Sequence, residues 1–475
     1  MSVEVVSSAN APGQGYSKKR VALIVAVLAL AAFMSSLDIF IVNLAFPYIS
    51  RDFHGSSLES LSWVLNGYSI LFAAVLVPAG RWADRIGRRR MFVAGLVVFT
   101  FGSILSGIAP NVSLLIAARL VQAIGAGMMV PASLSLLLAA VPGHARAQAI
   151  GTWSAIAALG AALGPVIGGF LVEASWRWVF WINIPVGIVA VVLALRVLPE
   201  SRDETANSRP DLLGAGLVAL ATGSLALALV KAPSWGWTSK DFFGLIALAI
   251  VSSVGVVARS ARHAAPVVDL KLLESRSFNG AILASIAYYA GFGVFLLSMV
   301  EFLTGVWHFS AIDAGLAIAP GPLMVLPFAR VVAPRLSVRL GGAGRVAVIG
   351  CFVNVAAQAL WYWRMQVPAA YFSHLLPIQM LGGVGVGLTI PSLIGAGTAS
   401  IPPARFGTGS GVLNMARQIG TVLGVAGLIA ILTGLNPLDP IVVFRHGALL
   451  AIGFFALAGV TSAVLLSRRV TTSTS

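Results

Sequence analysis

The chain has 475 residues, of which 58% are hydrophobic and only 10% are charged. A soluble domain carries about a quarter charged residues, so this composition excludes an ordinary soluble domain and indicates an integral membrane protein. The single cysteine, Cys351, excludes an internal disulfide and argues against a metal cluster.

Apolar runs long enough to cross a bilayer recur along the whole chain. A membrane helix needs about 20 apolar residues to cross a hydrocarbon core about 30 Å thick. Fourteen such runs occur, at about 21–47, 59–79, 91–109, 112–138, 149–172, 178–198, 211–231, 242–259, 278–304, 311–330, 345–363, 372–395, 408–433 and 443–466. We therefore predict an all-α membrane protein with 14 transmembrane helices.

The lysines and arginines are unevenly distributed between the two sides of the predicted helices. With the N-terminus placed in the cytoplasm, 23 of the 31 fall on the cytoplasmic side and 6 on the outer side. Such an excess is typical of cytoplasmic loops. It predicts a multi-pass inner (plasma) membrane protein with both termini in the cytoplasm. The net charge of +15 is then explained by topology and by contact with anionic membrane lipids, with no nucleic acid as partner.

An internal repeat relates the two ends of the chain. The spacing Gly-x-Gly-x-x-x-Pro occurs at 125–131 and again at 385–391, and the same offset aligns Gly160 with Gly420. We predict two pseudo-symmetric bundles with an inserted helix pair. The expected order is a disordered cytoplasmic tail (1–17), an N-terminal six-helix bundle (18–198), a cytoplasmic linker (199–210), the inserted pair (211–259), an amphipathic cytoplasmic segment (260–277), a C-terminal six-helix bundle (278–466) and a cytoplasmic tail (467–475).

Glycines recur every fourth residue in the fifth apolar run, at Gly160, Gly164 and Gly168. On a helix they share one face and allow another helix to approach closely. Pro165 removes one backbone donor and is expected to bend the helix. With Gly169, the string resembles the fifth-helix antiporter motif of drug:proton exporters in the major facilitator superfamily. The alternative is a tightly packed membrane helix with no further role.

Asp38 lies inside the first apolar run, in the string 37–47. A carboxylate in a membrane is costly unless it is protonated, paired or facing a wet cavity, and by default it marks a functional site. The alternative is an aspartate satisfied by neighbouring hydroxyl groups. The string resembles the first-helix motif of fourteen-helix drug exporters, with Phe40 where Thr is usual. The resemblance implies that Asp38 carries protons.

Arg119 lies inside the fourth apolar run, in the string 119–127. An arginine within a span must face protein or water and find a partner. The string matches the same exporter family except at Ala123, where glycine is usual. The resemblance implies that Arg119 assists proton transfer. The alternative is an arginine that only anchors helix contacts.

The segment 80–90, between the second and third runs, has one acidic residue among five arginines. Its two glycines are expected to permit tight turns. The acidic residue is expected to form ion pairs that break and re-form as helices move. The segment resembles the signature cytoplasmic loop of the superfamily, which implies that it locks the cytoplasmic side without binding substrate. The motif residues are Gly80, Asp84, Arg85, Gly87 and Arg88.

Glu301 lies near the end of the ninth run, where similar exporters usually have Gln. If it lines the substrate cavity, it provides a second acceptor for cationic substrates and a second protonatable group. The alternative is an exposed glutamate at the membrane interface, because 23 residues past Phe278 is about 35 Å along a straight helix.

The resemblance covers about residues 30–466 and implies a fourteen-helix major facilitator drug:proton antiporter. The expected function is proton-coupled efflux of lipophilic, cationic drugs or toxic compounds by alternating access in a monomer, with small-molecule substrate, protons and lipids as its partners. No enzyme activity, cofactor or metal is expected. Two alternatives remain: a dedicated exporter or flippase of an endogenous lipid or secondary metabolite, and a non-transporting membrane receptor or assembly factor.

Overall fold

The computed structural model describes residues 17–141, 146–202, 210–399, 401, 406–434 and 439–467. The predicted N-terminal tail up to residue 16, most of the predicted linker and the C-terminal tail from residue 468 lie outside the described residues. Within these ranges the secondary structure is helical, with no strand.

Seventeen α-helices follow one another in the described part of the chain. They are α1 (Lys18–Asp52), α2 (Leu58–Ile86), α3 (Arg88–Gly107), α4 (Val112–Ala140), α5 (Arg146–Ala174), α6 (Trp178–Trp181), α7 (Asn183–Val197), α8 (Leu212–Trp235), α9 (Lys240–Arg262), α10 (Arg276–Gly305), α11 (Ala311–Ile318), α12 (Pro320–Pro327), α13 (Ala333–Leu340), α14 (Ala343–Arg364), α15 (Leu376–Thr398), α16 (Phe406–Gly434) and α17 (Pro440–Leu465).

Thirteen spans within the described residues are long and apolar enough to cross a membrane. Two of them join several helices: α6 and α7 form Trp178–Val197, and α11 to α13 form Ala311–Leu340. The remaining predicted span corresponds to α5, a continuous helix of 29 residues. The prediction of an all-α, many-span membrane protein is confirmed.

Local sequence explains where several helices begin. Ser17, Ser57 and Asn111 each accept a hydrogen bond from the backbone N–H three residues ahead, at the starts of α1, α2 and α4. Gly87, with a positive φ of 115°, separates α2 from α3.

Prolines break the span between α11 and α13. Pro320 begins α12 and Pro327 ends it, and a π-helical turn, Phe328–Val332, joins α12 to α13. Proline lacks a backbone donor, and two prolines seven residues apart divide this span, whereas single prolines lie inside the continuous α2, α4 and α5.

The same close packing occurs in both halves of the chain. A Cβ added at Gly125 on α4 would lie 2.8 Å from the Gly95 carbonyl on α3. A Cβ added at Gly350 on α14 would lie 2.9 Å from the Gly385 carbonyl on α15. Gly125 and Gly385, which the 260-residue offset relates, therefore each pack closely against a glycine of a neighbouring helix.

The helices form two groups that touch along two seams. Helices α1 to α7 pack among themselves, as do α10 to α17. The two groups meet mainly along these seams, where α2 contacts α16 and where α5 contacts α11, with smaller contacts such as that between α1 and α10. The inserted helix α8 packs against both α2 and α16, and α9 packs on α8. The α2–α16 seam, the contact surface between those two helices, is therefore covered by α8.

Candidate functional site

A buried ion pair joins α1 to α4. Arg119 Nη1 lies 2.6 Å from Asp38 Oδ2, and the two side chains are 1% and 0% exposed. The sequence had indicated both residues separately, and the structure brings them together. Arg119 Nε also donates to the Val64 carbonyl on α2 at 3.3 Å, and its guanidinium lies 4.0 Å from the centre of the Tyr68 ring.

Neutral side chains complete the hydrogen bonding of the pair. Gln122 Nε2 donates to Asp38 Oδ1 at 2.8 Å, and its Oε1 accepts from Arg119 Nη1 at 2.6 Å. Ser103 on α3 accepts from Gln122 Nε2 at 2.8 Å. Asn183 on α7 donates to Asp38 Oδ1 at 3.4 Å and to Ser103 Oγ at 3.3 Å. We call these five residues the Asp38 network.

The Asp38 network gives a buried carboxylate the environment it needs. Taking both charges out of water costs several kcal/mol per ion, which is offset only by close pairing and further hydrogen bonds. Removing either charge leaves the other uncompensated at a cost of about 3–5 kcal/mol. A proton arriving at Asp38 would neutralise the carboxylate and have the same consequence for Arg119.

A small cavity lies beside this network at the α2–α16 seam. It measures about 20 Å³, which is enough for about one water molecule. Its lining residues come from both helix groups: Ile39, Asn43, Leu65, Asn66, Tyr68, Ser69, Arg119, Thr421 and Val425. Arg119 therefore belongs both to the ion pair and to a cavity between the two groups.

The glycine face of α5 packs against α1. A Cβ at Gly160 would lie 2.6 Å from the Phe33 carbonyl, and one at Gly164 would lie 2.6 Å from Phe40 Cβ. At Gly168 it would lie 2.9 Å from Ile41 Cγ1. Such distances are too short for real side-chain atoms, so α5 and α1 are in close contact along this face.

Pro165 and Gly169, the other two motif residues of α5, contact the other helix group. A Cβ at Gly169 would lie 2.6 Å from the Ala311 carbonyl on α11, and Gly315 on α11 packs against the Pro165 carbonyl. The motif therefore serves two contacts, one within the first group and one between the groups. Pro165 lies inside a continuous α5.

The turn between α2 and α3 carries the predicted charge cluster. Asp84 Oδ1 lies 2.8 Å from Arg88 Nη2, one helical turn apart in sequence, and Arg85 is exposed. Only one of the two glycines makes a turn. Gly87 has a positive φ, whereas Gly80 lies within α2, with Pro131 Cβ 3.6 Å from its added Cβ, so the expectation of a turn at Gly80 was wrong.

Glu200, which follows α7, joins this cluster from the start of the predicted linker. Its Oε1 accepts from the Arg89 backbone N–H at 3.0 Å, and its Oε2 lies 3.8 Å from Arg90 Nε. The backbone N–H of Arg88 also donates to the Ser201 carbonyl at 2.8 Å. The sequence did not indicate this contact, because about 110 residues separate its two sides.

Glu301 is neither fully exposed nor among the residues that line the described cavity. It is partly buried near the end of α10, and its Oε1 has no hydrogen-bond partner among the described residues. One turn further, the Thr304 carbonyl accepts from Arg51 Nη2 on α1 at 3.5 Å. Glu301, on α10, lies apart from the Asp38 network, whose residues are on α1, α3, α4 and α7.

Ser103 and Asn183 were not among the predicted site residues. Each is a neutral polar residue inside an apolar span, and each is buried, at 0% and 1% exposure. Polar residues in membrane spans tend to face the bundle interior and pair with one another. That tendency could have drawn attention to them, but only the fold identifies Asp38 as their common partner.

A many-span helical protein with buried charges between its helices has the features of a membrane transporter. The family model of the Major Facilitator Superfamily matches residues 28–425. The chain belongs to this superfamily, whose members are transporters and not enzymes.

Its relatives include drug and antibiotic resistance proteins. Multidrug resistance protein Stp of Mycobacterium tuberculosis is 35% identical, covering 85% of this chain and 74% of Stp. Puromycin resistance protein pur8 of Streptomyces alboniger is 32% identical, covering 91% and 86%. Tetracenomycin C resistance and export protein of Streptomyces glaucescens is 30% identical, covering 86% and 75%.

Solved structures support the same fold. A POT family transporter in complex with 5-aminolevulinic acid matches 96% of this chain and 98% of its own, with a TM-score of 0.70 and 15% identity. The human organic anion transporter MFSD10 matches 94% and 100%, with a TM-score of 0.62 and 16% identity. At such identities the likeness concerns the fold alone.

Proposed function

We propose that the protein exports lipophilic drugs, cations among them, in exchange for protons by alternating access. One observation carries the proposal: Arg119 pairs with a buried carboxylate and also lines a cavity between the two helix groups. A change in the charge of Asp38 therefore reaches the cavity through a single side chain. The resistance proteins among the relatives support efflux of drugs as the transport activity.

The proton step follows from the chemistry of the ion pair. A proton on Asp38 neutralises the carboxylate, so Arg119 loses its counter-ion and the hydrogen bonds of Gln122 and Asn183 to Asp38 weaken. The contacts among α1, α4 and α7 then change together. Loss of the proton restores the pair. Protonation of Asp38 and binding of a cationic substrate are proposed to compete, because both act on the charge of the same carboxylate.

Alternating access requires the two helix groups to move relative to each other. In transporters built from parallel repeats, substrate binds near the middle of the membrane between halves that rock. The α5–α11 seam contains Gly169 and Gly315, whose close backbone contacts leave no bulky side chain between the two helices to obstruct their relative movement. The Asp84–Arg88 pair is proposed to break and re-form as the groups move.

The proposed location is the inner (plasma) membrane, with both termini in the cytoplasm, from the distribution of lysine and arginine. Export then runs from the cytoplasm or inner leaflet to the exterior. Reporter fusions test this orientation: one after Arg90 should report cytoplasm and one after Ser234 the exterior. The reverse pair of results would contradict it.

A second candidate is dedicated export of one secondary metabolite. It is favoured by a relative whose name specifies export, the tetracenomycin C resistance and export protein. The two candidates differ in substrate range. A dedicated exporter would move one compound and its close analogues, whereas a multidrug exporter would move unrelated lipophilic compounds.

A dye-efflux panel with and without an uncoupler tests the proposal. Cells expressing the protein are loaded with unrelated lipophilic dyes, and fluorescence loss is followed in the wild type and in empty-vector cells. We expect export of several dyes that stops when the uncoupler dissipates the proton gradient. Export that persists with the uncoupler would contradict proton coupling, and export of no dye would contradict multidrug efflux.

A further inference from the structure

Asn66 on α2 is a buried amide without a partner. It is 1% exposed, and neither its Oδ1 nor its Nδ2 has a hydrogen-bond partner within the described ranges. Asn66 also lines the cavity at the α2–α16 seam. It differs from the buried polar residues of the Asp38 network, whose side chains are bonded to one another.

Gln418 on α16 provides a second unpaired amide at the same seam. It is 8% exposed, and its Nε2 has no partner in the part of the chain that the structure describes. Gln418 precedes Thr421 by three residues and Val425 by seven, so all three share one face of α16. Since Thr421 and Val425 line the cavity, the face that carries Gln418 is the one turned toward α2.

Unpaired amides at such sites destabilise a fold. An unsatisfied buried donor or acceptor costs about 1–3 kcal/mol, and almost all buried polar groups in proteins have a partner. Asn354, a buried amide in the second group, shows the ordinary arrangement: its Nδ2 donates to Tyr288 Oη at 3.0 Å and to the Gly350 carbonyl at 3.2 Å. Stability therefore does not explain why Asn66 and Gln418 are unpaired at the α2–α16 seam.

The unpaired atoms define the chemistry of an occupant. Two of the three unpaired amide atoms, Asn66 Nδ2 and Gln418 Nε2, are hydrogen-bond donors, and the Tyr68 hydroxyl in the cavity lining also has no partner among the described residues. The occupant must therefore offer acceptors. The one charged residue among those that line the cavity is Arg119, whose charge is already paired with Asp38, so the wall offers no free charge to attract a charged group. Apolar residues such as Ile39, Leu65 and Val425 form the rest of the wall. These features fit an uncharged oxygen on an apolar body.

We propose that Asn66 and Gln418 form a hydrogen-bonding subsite for a carbonyl or hydroxyl oxygen of an uncharged lipophilic substrate. The proposal rests on the proposed function and adds a substrate class to it. In the described state the cavity has room for about one water molecule, so one functional group enters unless α2 and α16 separate. A substrate oxygen binds by replacing whatever water the amides hold.

The test uses two lipophilic probes that differ at the relevant group. Nile red is uncharged and has a carbonyl oxygen, and tetraphenylphosphonium is a cation with no hydrogen-bonding group. Efflux of both is measured for the wild type, Asn66→Leu and Gln418→Leu, together with the melting temperature of each purified protein. Leucine keeps most of the side-chain volume and removes the amide.

Asn354→Leu is the matched control, because it makes the same substitution at a paired amide. It removes a partner of Tyr288 and places a branched side chain against Gly385, whose added Cβ would already lie 2.7 Å from Asn354 Cγ. We expect a lower melting temperature and an unchanged ratio of Nile red to tetraphenylphosphonium efflux.

For Asn66→Leu we expect the opposite result. The melting temperature stays the same or rises, while the efflux ratio of Nile red to tetraphenylphosphonium falls about tenfold, the equivalent of one good hydrogen bond. Gln418→Leu should lower the same ratio. A fall in this efflux ratio in both variants, one on α2 and one on α16, would support the subsite.

Three results would overturn the inference. An unchanged ratio in both variants would mean that the amides hold water only. Loss of folded protein in both would mean that they have a structural role. A wild type that exports tetraphenylphosphonium and not Nile red would exclude the substrate class. A wild type that exports neither probe would instead contradict the proposed function itself, and the subsite with it.

Discussion

The two helix groups share a packing pattern but differ in charge. Gly164 on α5 faces the Leu37 carbonyl on α1, and Gly424 on α16 faces the Ala290 carbonyl on α10. This register places Gly291 where the first group has Asp38. The 260-residue offset likewise places Gln379 where the first group has Arg119.

The difference shows that packing and chemistry follow separate constraints. Close helix contacts with glycines at them occur in both groups, each of which is proposed to move as a packed body. A buried ion pair is costly and one is sufficient to respond to protons. Gln379, which corresponds to Arg119 in the second group, is neutral. We infer that the Asp38–Arg119 pair is the main element of proton coupling, because its counterpart positions in the second group are uncharged.

The largest expected effect comes from making the first group resemble the second at Arg119. Arg119→Gln leaves Asp38 as a buried charge without a counter-ion, which costs about 3–5 kcal/mol. We expect a large fall in the melting temperature of the purified protein and no detectable export.

The double variant separates stability from coupling. Asp38→Asn combined with Arg119→Gln removes both charges, so the melting temperature should recover most of the loss while export stays absent. Gln379→Met, the matched change in the second group, should leave export intact. Recovery of export in the double variant would place coupling elsewhere.

The next effect tests the shared packing. Gly164→Leu and Gly424→Leu each force a side chain into a close helix contact, where overpacking costs about 1–3 kcal/mol. Both should block dye export with the protein still present in the membrane. Gly216→Leu on α8 is the control, because an added Cβ there has no neighbour within 4 Å in the described structure. Normal export by Gly164→Leu would show that the contact with α1 is not tight.

A smaller effect is expected at the α2–α3 turn. Asp84→Asn removes a partly exposed pair one helical turn apart, and such pairs contribute about 0.3–0.5 kcal/mol. The melting temperature should therefore barely change, whereas the export rate should fall if the pair acts as a lock between conformations. An unchanged export rate would mean that the Asp84–Arg88 pair has no role in the conformational change.

The smallest effect concerns Glu301. Glu301→Gln should keep export of neutral and monocationic dyes and weaken export of dications, because it removes a carboxylate on α10 that would attract a second positive charge as a dication passes that helix. Matched mono- and dicationic dyes measure this directly. Equal loss for both, or no loss for either, would leave Glu301 without a role in charge selection.

The sequence predicted the helices more completely than the site. Apolar runs and glycine spacing are local signals, so the spans and the face of α5 could be predicted. Contacts between residues far apart in sequence could not be predicted. Asp38 and Arg119 were each identified from their own strings, but Asn183 bonds to Asp38 only because α7 packs beside α1 and α3. Gly80 was misread for a similar reason, since the spacing of two glycines does not show which of them lies inside a helix.

Proton-driven transport by Asp38→Asn protein in liposomes is the most direct test of coupling through Asp38. Asparagine keeps the shape and one hydrogen-bonding oxygen of the side chain but cannot ionise. Wild-type and variant proteins are reconstituted, the membrane potential is clamped, a pH gradient is imposed, and accumulation of a transported dye is followed. We predict uphill accumulation by the wild type and none by the variant. Accumulation by the variant at the wild-type rate would remove Asp38 from the mechanism.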